Sequence, residues 1–154
     1  MATPAQTTRT FPRRAFLAAG LSALFAGSAT TLALLGGMSA VSGDTFRFSR
    51  GTSFANGEEA RLRGLLASAL ADERLHVTIV GHTGSAGDDA ANLELSNRRA
   101  TFVAEMAVDM GITPERITAR GIGGAAPLAQ EDGETDRALQ SRLARVEVTL
   151  QMRR

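Results

Sequence analysis

From Asp44 onward the apolar positions of the chain move between a two-residue and a 3.6-residue rhythm, while the segment before it follows neither. "DTFRFSR", residues 44–50, puts Phe46 and Phe48 on one face and predicts a short first strand. "NGEEARLRGLLASALADE" then reads as a helix. Asn56 and Glu59 have the spacing of a capping box, and Leu62, Leu65, Leu66, Ala69 and Leu70 form one stripe. "RLHVTIVGHT" is rich in β-branched residues and predicts a second strand. A long helix follows from about Ala90 to Met110, with Gly111 as its C-terminal stop. A turn around Pro114 leads to a third short strand near Ile117 to Arg120. The acidic "AQEDGETDRA" is a loop or the start of a short helix, and "ARVEVTLQM" closes the chain with Val146, Val148, Leu150 and Met152 on one side. The order β-α-β-α-β-(α)-β predicts an α/β (α+β) fold: a mixed four-stranded sheet with helices packed on it.

One position breaks the pattern of the long helix. Leu95, Phe102, Val103, Met106 and Met110 all project within about 60° of Arg99, and Asn92 falls close to it. Arg99 therefore sits in the apolar face, whereas Arg98, about 100° away, reaches water. A guanidinium on a buried face needs an anion or several acceptors to meet it. It is either a ligand-binding cation or a structural one, held by an internal ion pair or by backbone carbonyls.

Charge divides the chain in two. Arg9, Arg13 and Arg14 precede an uncharged run over residues 15–43 that ends in small residues, the pattern of an export or anchoring segment. "PRRAFLA" resembles a twin-arginine signal, with Pro12 where that signal usually carries Ser or Thr. Two fates are open: a signal peptide cut after Ala40 or Ser42, or a membrane anchor through residues 15–43. Residues 1–43 thus form the leader and 44–154 the domain, which is expected in the periplasm or cell envelope, associated with a membrane. Past the leader, fourteen arginines against sixteen acidic residues leave a formal charge of −2, which gives no basic face for nucleic acid.

The chain has no cysteine and no lysine, which excludes disulfides, thiolate metal sites, Schiff-base chemistry and the phosphate-loop lysine. "GIGGAA", residues 121–126, is followed by Pro127 rather than an amphipathic helix and is not a dinucleotide site. His76 and His82 lack a third metal ligand, and His82 is expected to brace the "GHT" turn. No catalytic constellation, metal site or cofactor is expected.

The segment from Val80 to Gly123 resembles the OmpA-like C-terminal domain family. The matches are "GHT" at 81–83, the series Asn92, Leu95, Ser96, Arg99, Ala100 and Val103, then Gly111 with Ile112, Arg116 with Ile117, Gly121, Gly123, Pro127 and the final "RVEV". The resemblance implies a periplasmic module that binds peptidoglycan noncovalently through the diaminopimelate of the stem peptide. In that family an aspartate after the "GHT" threonine meets the ligand's ammonium and the helix arginine meets its carboxylate, a pairing suited to a planar guanidinium. Arg99 matches that arginine, but Gly84 stands at the aspartate position. Near the C-terminus Arg145 matches, while Leu143 and Ala144 replace the family's Asn and Arg. Asp88 and Asp89 either receive the ammonium instead or serve as acids at the helix N-terminus. The implied binding set is Thr83, Gly84, Asn92, Leu95, Arg99 and Arg145. Two functions follow as alternatives: weak peptidoglycan binding, or a membrane-tethered structural domain that has lost it and contacts an envelope protein partner.

Overall fold

The structure, a computed structural model, describes residues 39–152. The expected leader lies outside the described residues up to position 38. Among the described residues no helix is long and apolar enough to cross a membrane.

The first strand, β1 (Ser39–Arg50), begins at Ser39 rather than Asp44. Its early residues lack apolar alternation, but backbone pairing does not require it. They run antiparallel to the last strand, β5 (Arg145–Met152), from Ser39 opposite Met152 to Arg47 opposite Arg145. After β1 the chain reverses at Gly51, whose φ of 53° suits a hairpin turn, into the two-residue strand β2 (Ser53–Phe54). This pair gives the sheet a fifth strand that is too short to leave a periodic trace. The remaining strands are β3 (Leu75–Gly81) and β4 (Ile117–Gly121), and the sheet order is β2-β1-β5-β3-β4. Only β3 and β4 run parallel, joined by a helical crossover.

Helix α1 (Glu58–Ala71) does not start with the expected capping box. Gly57, at φ 79°, is the cap residue and makes no side-chain hydrogen bond, while Glu59 pairs with Arg63 at 3.0 Å. The turn that Gly57 permits carries the chain past the geometry in which Asn56 would cap. Leu70, placed in the stripe by its spacing, is exposed at the stripe's margin; Leu62, Leu66 and Ala69 are buried. The C-terminus of α1 is closed from elsewhere: Arg116 donates to the carbonyls of Asp72 and Leu75 at 2.9 Å and also to that of Ala69. The carbonyls of Ala69 and Asp72 are orphan acceptors at the end of a helix that has no basic residue in its own last turn, and that of Leu75 opens β3.

Helix α2 (Asp89–Asp109) ends as expected at Gly111, φ 102°. Gly111 N–H donates to Val108 and Ile112 N–H to Ala107, the paired bonds of a Schellman motif. The core lies between these helices and one face of the sheet: Phe46, Phe48, Leu62, Leu66, Val77, Ile79, Val103, Val146, Val148 and Leu150. Phe102 is half-buried, at the rim, 5.8 Å from the Phe54 ring. Two glycines let α2 approach the sheet. A Cβ on Gly81 would lie 2.1 Å from Ser96 O, and one on its parallel neighbour Gly121 would lie 2.2 Å from Asn97 N. Helix α3 (Asp136–Leu143), capped by Thr135 onto Ala138 N–H, leads into β5.

Candidate ligand-binding site

The segment from His82 to Asp88 connects β3 to α2, and several side chains hold it in place. Asp88 caps α2, accepting from Ala91 N–H at 2.7 Å, so its carboxylate serves the helix end; Asp89 occupies the first turn. Asn92 Nδ2 donates to Ala86 O at 3.0 Å. Thr83 N–H donates to Gly123 O at 3.0 Å, and Gly123 N–H donates in turn to Ser96 Oγ at 2.8 Å. The loop after β3, the loop after β4 and the first turns of α2 are thereby fastened together.

Arg99 lies beneath this junction, 4% exposed. Its Nη1 donates to His82 O at 2.9 Å and its Nε to Gly51 O at 2.8 Å. The guanidinium also rests over the Phe48 ring, with Cζ 4.9 Å from the centroid. No acidic side chain among the described residues pairs with it. Burial alone lowers its pKa from the ordinary value, yet an arginine remains charged. The result is a buried cation fixed by neutral partners and lacking a countercharge, an arrangement that favours an anionic group reaching Nη2.

The other expected positions divide between the two faces of the sheet. Leu95 is half-buried on α2, one turn before Arg99. Thr83 is buried, and its Oγ1 has no hydrogen-bond partner. Arg145 is buried as well, but alternation along β5 turns it away from α2. It donates to Glu147 at 2.9 Å from Nε and to Ala126 O at 3.2 Å from Nη2, tying the loop after β4 to the last strand. His82 faces the same side, with Nε2 3.4 Å from Glu147 Oε1, too poorly aligned for a full hydrogen bond. The His82 ring edge and the closer Arg145 guanidinium hold the Glu147 carboxyl below its usual range, against the opposing effect of partial burial.

Gly84 is half-buried and is not in the left-handed region. The space beside its Cα contains the side chain of Gln140 from α3. Sequence reasoning did not find Gln140. Its only local signal is the missing side chain at position 84, and the two residues are far apart along the chain.

The sequence model of the OmpA family matches residues 47–141. Outer membrane porin F of Pseudomonas fluorescens is 44% identical over 68 residues, which make up 44% of this chain and 21% of the porin. The probable lipoprotein YiaD of Escherichia coli (strain K12) is 38% identical over 74 residues, 48% of this chain and 32% of the lipoprotein. The chain therefore spans about a third or less of the length of these relatives. The crystal structure of the peptidoglycan-associated lipoprotein from Burkholderia pseudomallei shares the fold, with a TM-score of 0.60 at 21% identity over 69% of this chain and 88% of that one.

Proposed function

This chain belongs to the OmpA family, and we propose that it is an envelope protein whose domain faces the periplasm and binds peptidoglycan noncovalently and weakly, through the diaminopimelate of the stem peptide. The observation that carries this reading is Arg99: a buried, oriented guanidinium without a countercharge among the described residues, beside the loop of Thr83 and Gly84. A ligand carboxylate supplies that charge and accepts from Nη2. The buried, unpartnered Thr83 hydroxyl supports the same location. Weakness follows from Gly84, which offers no carboxylate to an ammonium. Asn92 and Leu95 shape the loop and the helix face, and Arg145 contributes from behind the sheet by fixing the adjoining loop. Residues 1–43 carry the domain across the inner membrane and either remain as its anchor or are cleaved.

The second reading, a tethered structural domain contacting an envelope protein, is favoured by the two backbone carbonyls that already engage Arg99. Co-sedimentation of the purified full-length chain with isolated sacculi separates the two. Binding that free diaminopimelate competes away supports the first. A folded chain that stays in the supernatant at every concentration supports the second.

A further inference from the structure

The space over Gly84 already holds a hydrogen-bond acceptor. A Cβ built on Gly84 would stand 1.9 Å from Gln140 Oε1 and 3.2 Å from its Cδ. The first distance lies between those of a carboxylate's carbon and its oxygens from their own Cβ. The Gln140 oxygen thus occupies the shell that the carboxylate of an acidic residue at position 84 would sweep. The amide is half-buried and makes no hydrogen bond to another described residue, so both its oxygen and its nitrogen are available. Its helix is firmly held. Leu143 is buried, and Arg142 grips Glu134 through two bonds, at 2.6 and 2.7 Å, and Ala129 O at 2.9 Å.

The geometry points to Gln140 as the acceptor for the amino group of the ligand whose carboxylate Arg99 receives. This rests on the wall-binding reading above. A neutral oxygen changes what the site distinguishes. A carboxylate strongly prefers a free ammonium, whereas an amide oxygen accepts from an ammonium or from the N–H of an acylated amine, and the ammonium's charge then gives it only a modest advantage. The ligand class is therefore an amino-acid head with a free carboxylate and a nitrogen donor, whether that nitrogen is free or acylated as in a cross-link.

Titration calorimetry of the full-length chain tests this with two probes: a diaminopimelate stem peptide, and the same peptide acetylated on its side-chain amine. The parent is expected to bind both, the free-amine peptide more tightly by no more than about tenfold, and Gln140→Ala to weaken both by about five- to tenfold. Gln140→Glu, nearly isosteric, is expected to tighten the free-amine peptide about tenfold and not the acetylated one. Thermal unfolding of each variant verifies that it is folded. A folded Gln140→Ala that binds as well as the parent, or better, makes Gln140 a plug and overturns the assignment while leaving wall binding intact. A parent that binds neither peptide nor sacculi overturns the wall-binding reading, and this assignment with it.

Discussion

Arg99 donates to the carbonyl oxygen of His82 at 2.9 Å, so the cation that we propose meets a ligand carboxylate also fixes the loop beside it. Its second tie, to Gly51 O, fastens the β1–β2 turn over the same helix. On the wall-binding reading, binding geometry and stability are coupled at one side chain. Arg99→Ala leaves two carbonyls without their donors and removes the cation from the Phe48 ring. The expected destabilisation is about 2 to 4 kcal/mol, read from urea unfolding at neutral pH. A loss under about 0.5 kcal/mol would mean that water replaces both bonds without penalty. Arg99→Lys should recover only part of the loss, because one ammonium cannot reproduce the planar fork.

The glycine pair under α2 gives a second stability prediction. A methyl at Gly121 would meet the backbone nitrogen of Asn97 at 2.2 Å, a contact that no rotamer change relieves. Gly121→Ala should therefore push α2 away from β4 and cost about 3 kcal/mol or more. Gly64→Ala, on an α1 position with open space around it, should be neutral or stabilising by up to about 1 kcal/mol. Equal effects of the two substitutions on the thermal midpoint would contradict the close approach of helix to sheet.

Elements whose side chains alternate against the core were legible from the sequence, because burial imposes the rhythm: Phe46 with Phe48, Val146 with Val148, and the α2 stripe that contains Arg99. Features set by backbone geometry were not. Asn56 and Glu59 have the spacing of a capping box, but Gly57 in the left-handed region turns the chain elsewhere. The Ser39 end of β1 is held by pairing with β5, and β2 has only two residues. At the site, Arg99 was marked by its conflict with its neighbours, and Asp88 and Asn92 by their places at the helix start. Alternation already set Arg145 on the face opposite Val146 and Val148, but its tie to Ala126 joins segments distant in sequence and left no trace there. Gln140 was invisible, because its relation to Gly84 is a contact between distant segments.

Acid should loosen the face behind the site. Glu147 has a lowered carboxyl pKa, caused first by the His82 ring edge and then by Arg145. A depressed folded-state pKa contributes stability that is present above the ordinary glutamate value, near 4.5, and is lost as pH falls through the lower folded-state value. Glu147→Gln should be less stable than the parent at pH 7 and should lose less on acidification below 4.5. Urea midpoints measured across that range decide it: parallel curves for parent and variant would show that the carboxylate contributes nothing.

The leader prediction concerns residues 1–43. Fused to a reporter active only outside the cytoplasm, they should export it, and Arg13→Lys with Arg14→Lys should reduce that export at least severalfold. Undiminished export by the lysine pair would remove the twin-arginine route. Mass measurement of the mature chain then distinguishes an anchor from a cleaved signal. Cleavage after Ala40 or Ser42 would trim the first residues that pair with β5, so a cleaved product should also unfold at a slightly lower temperature than the intact chain.

Gly84 offers the sharpest test of the inherited pocket. Its backbone lies outside the left-handed region, so an aspartate there meets no conformational strain, and the obstacle is the flexible end of Gln140. Gly84→Asp should displace that amide and replace a neutral acceptor with a charged one, tightening a free-amine stem peptide about tenfold. Removing the obstacle in Gly84→Asp with Gln140→Ala should preserve or increase the gain. The same double change should weaken the acetylated peptide, which has no charge to offer the carboxylate. Arg99 must remain, because the ligand's ammonium and carboxylate are held as one unit: Arg99→Lys in the Gly84→Asp background should abolish most of the gain, a coupling larger than the sum of the single effects. If Gly84→Asp is as stable as the parent and binds the free-amine peptide no better, position 84 does not face the ligand, and the tethered structural domain becomes the better account.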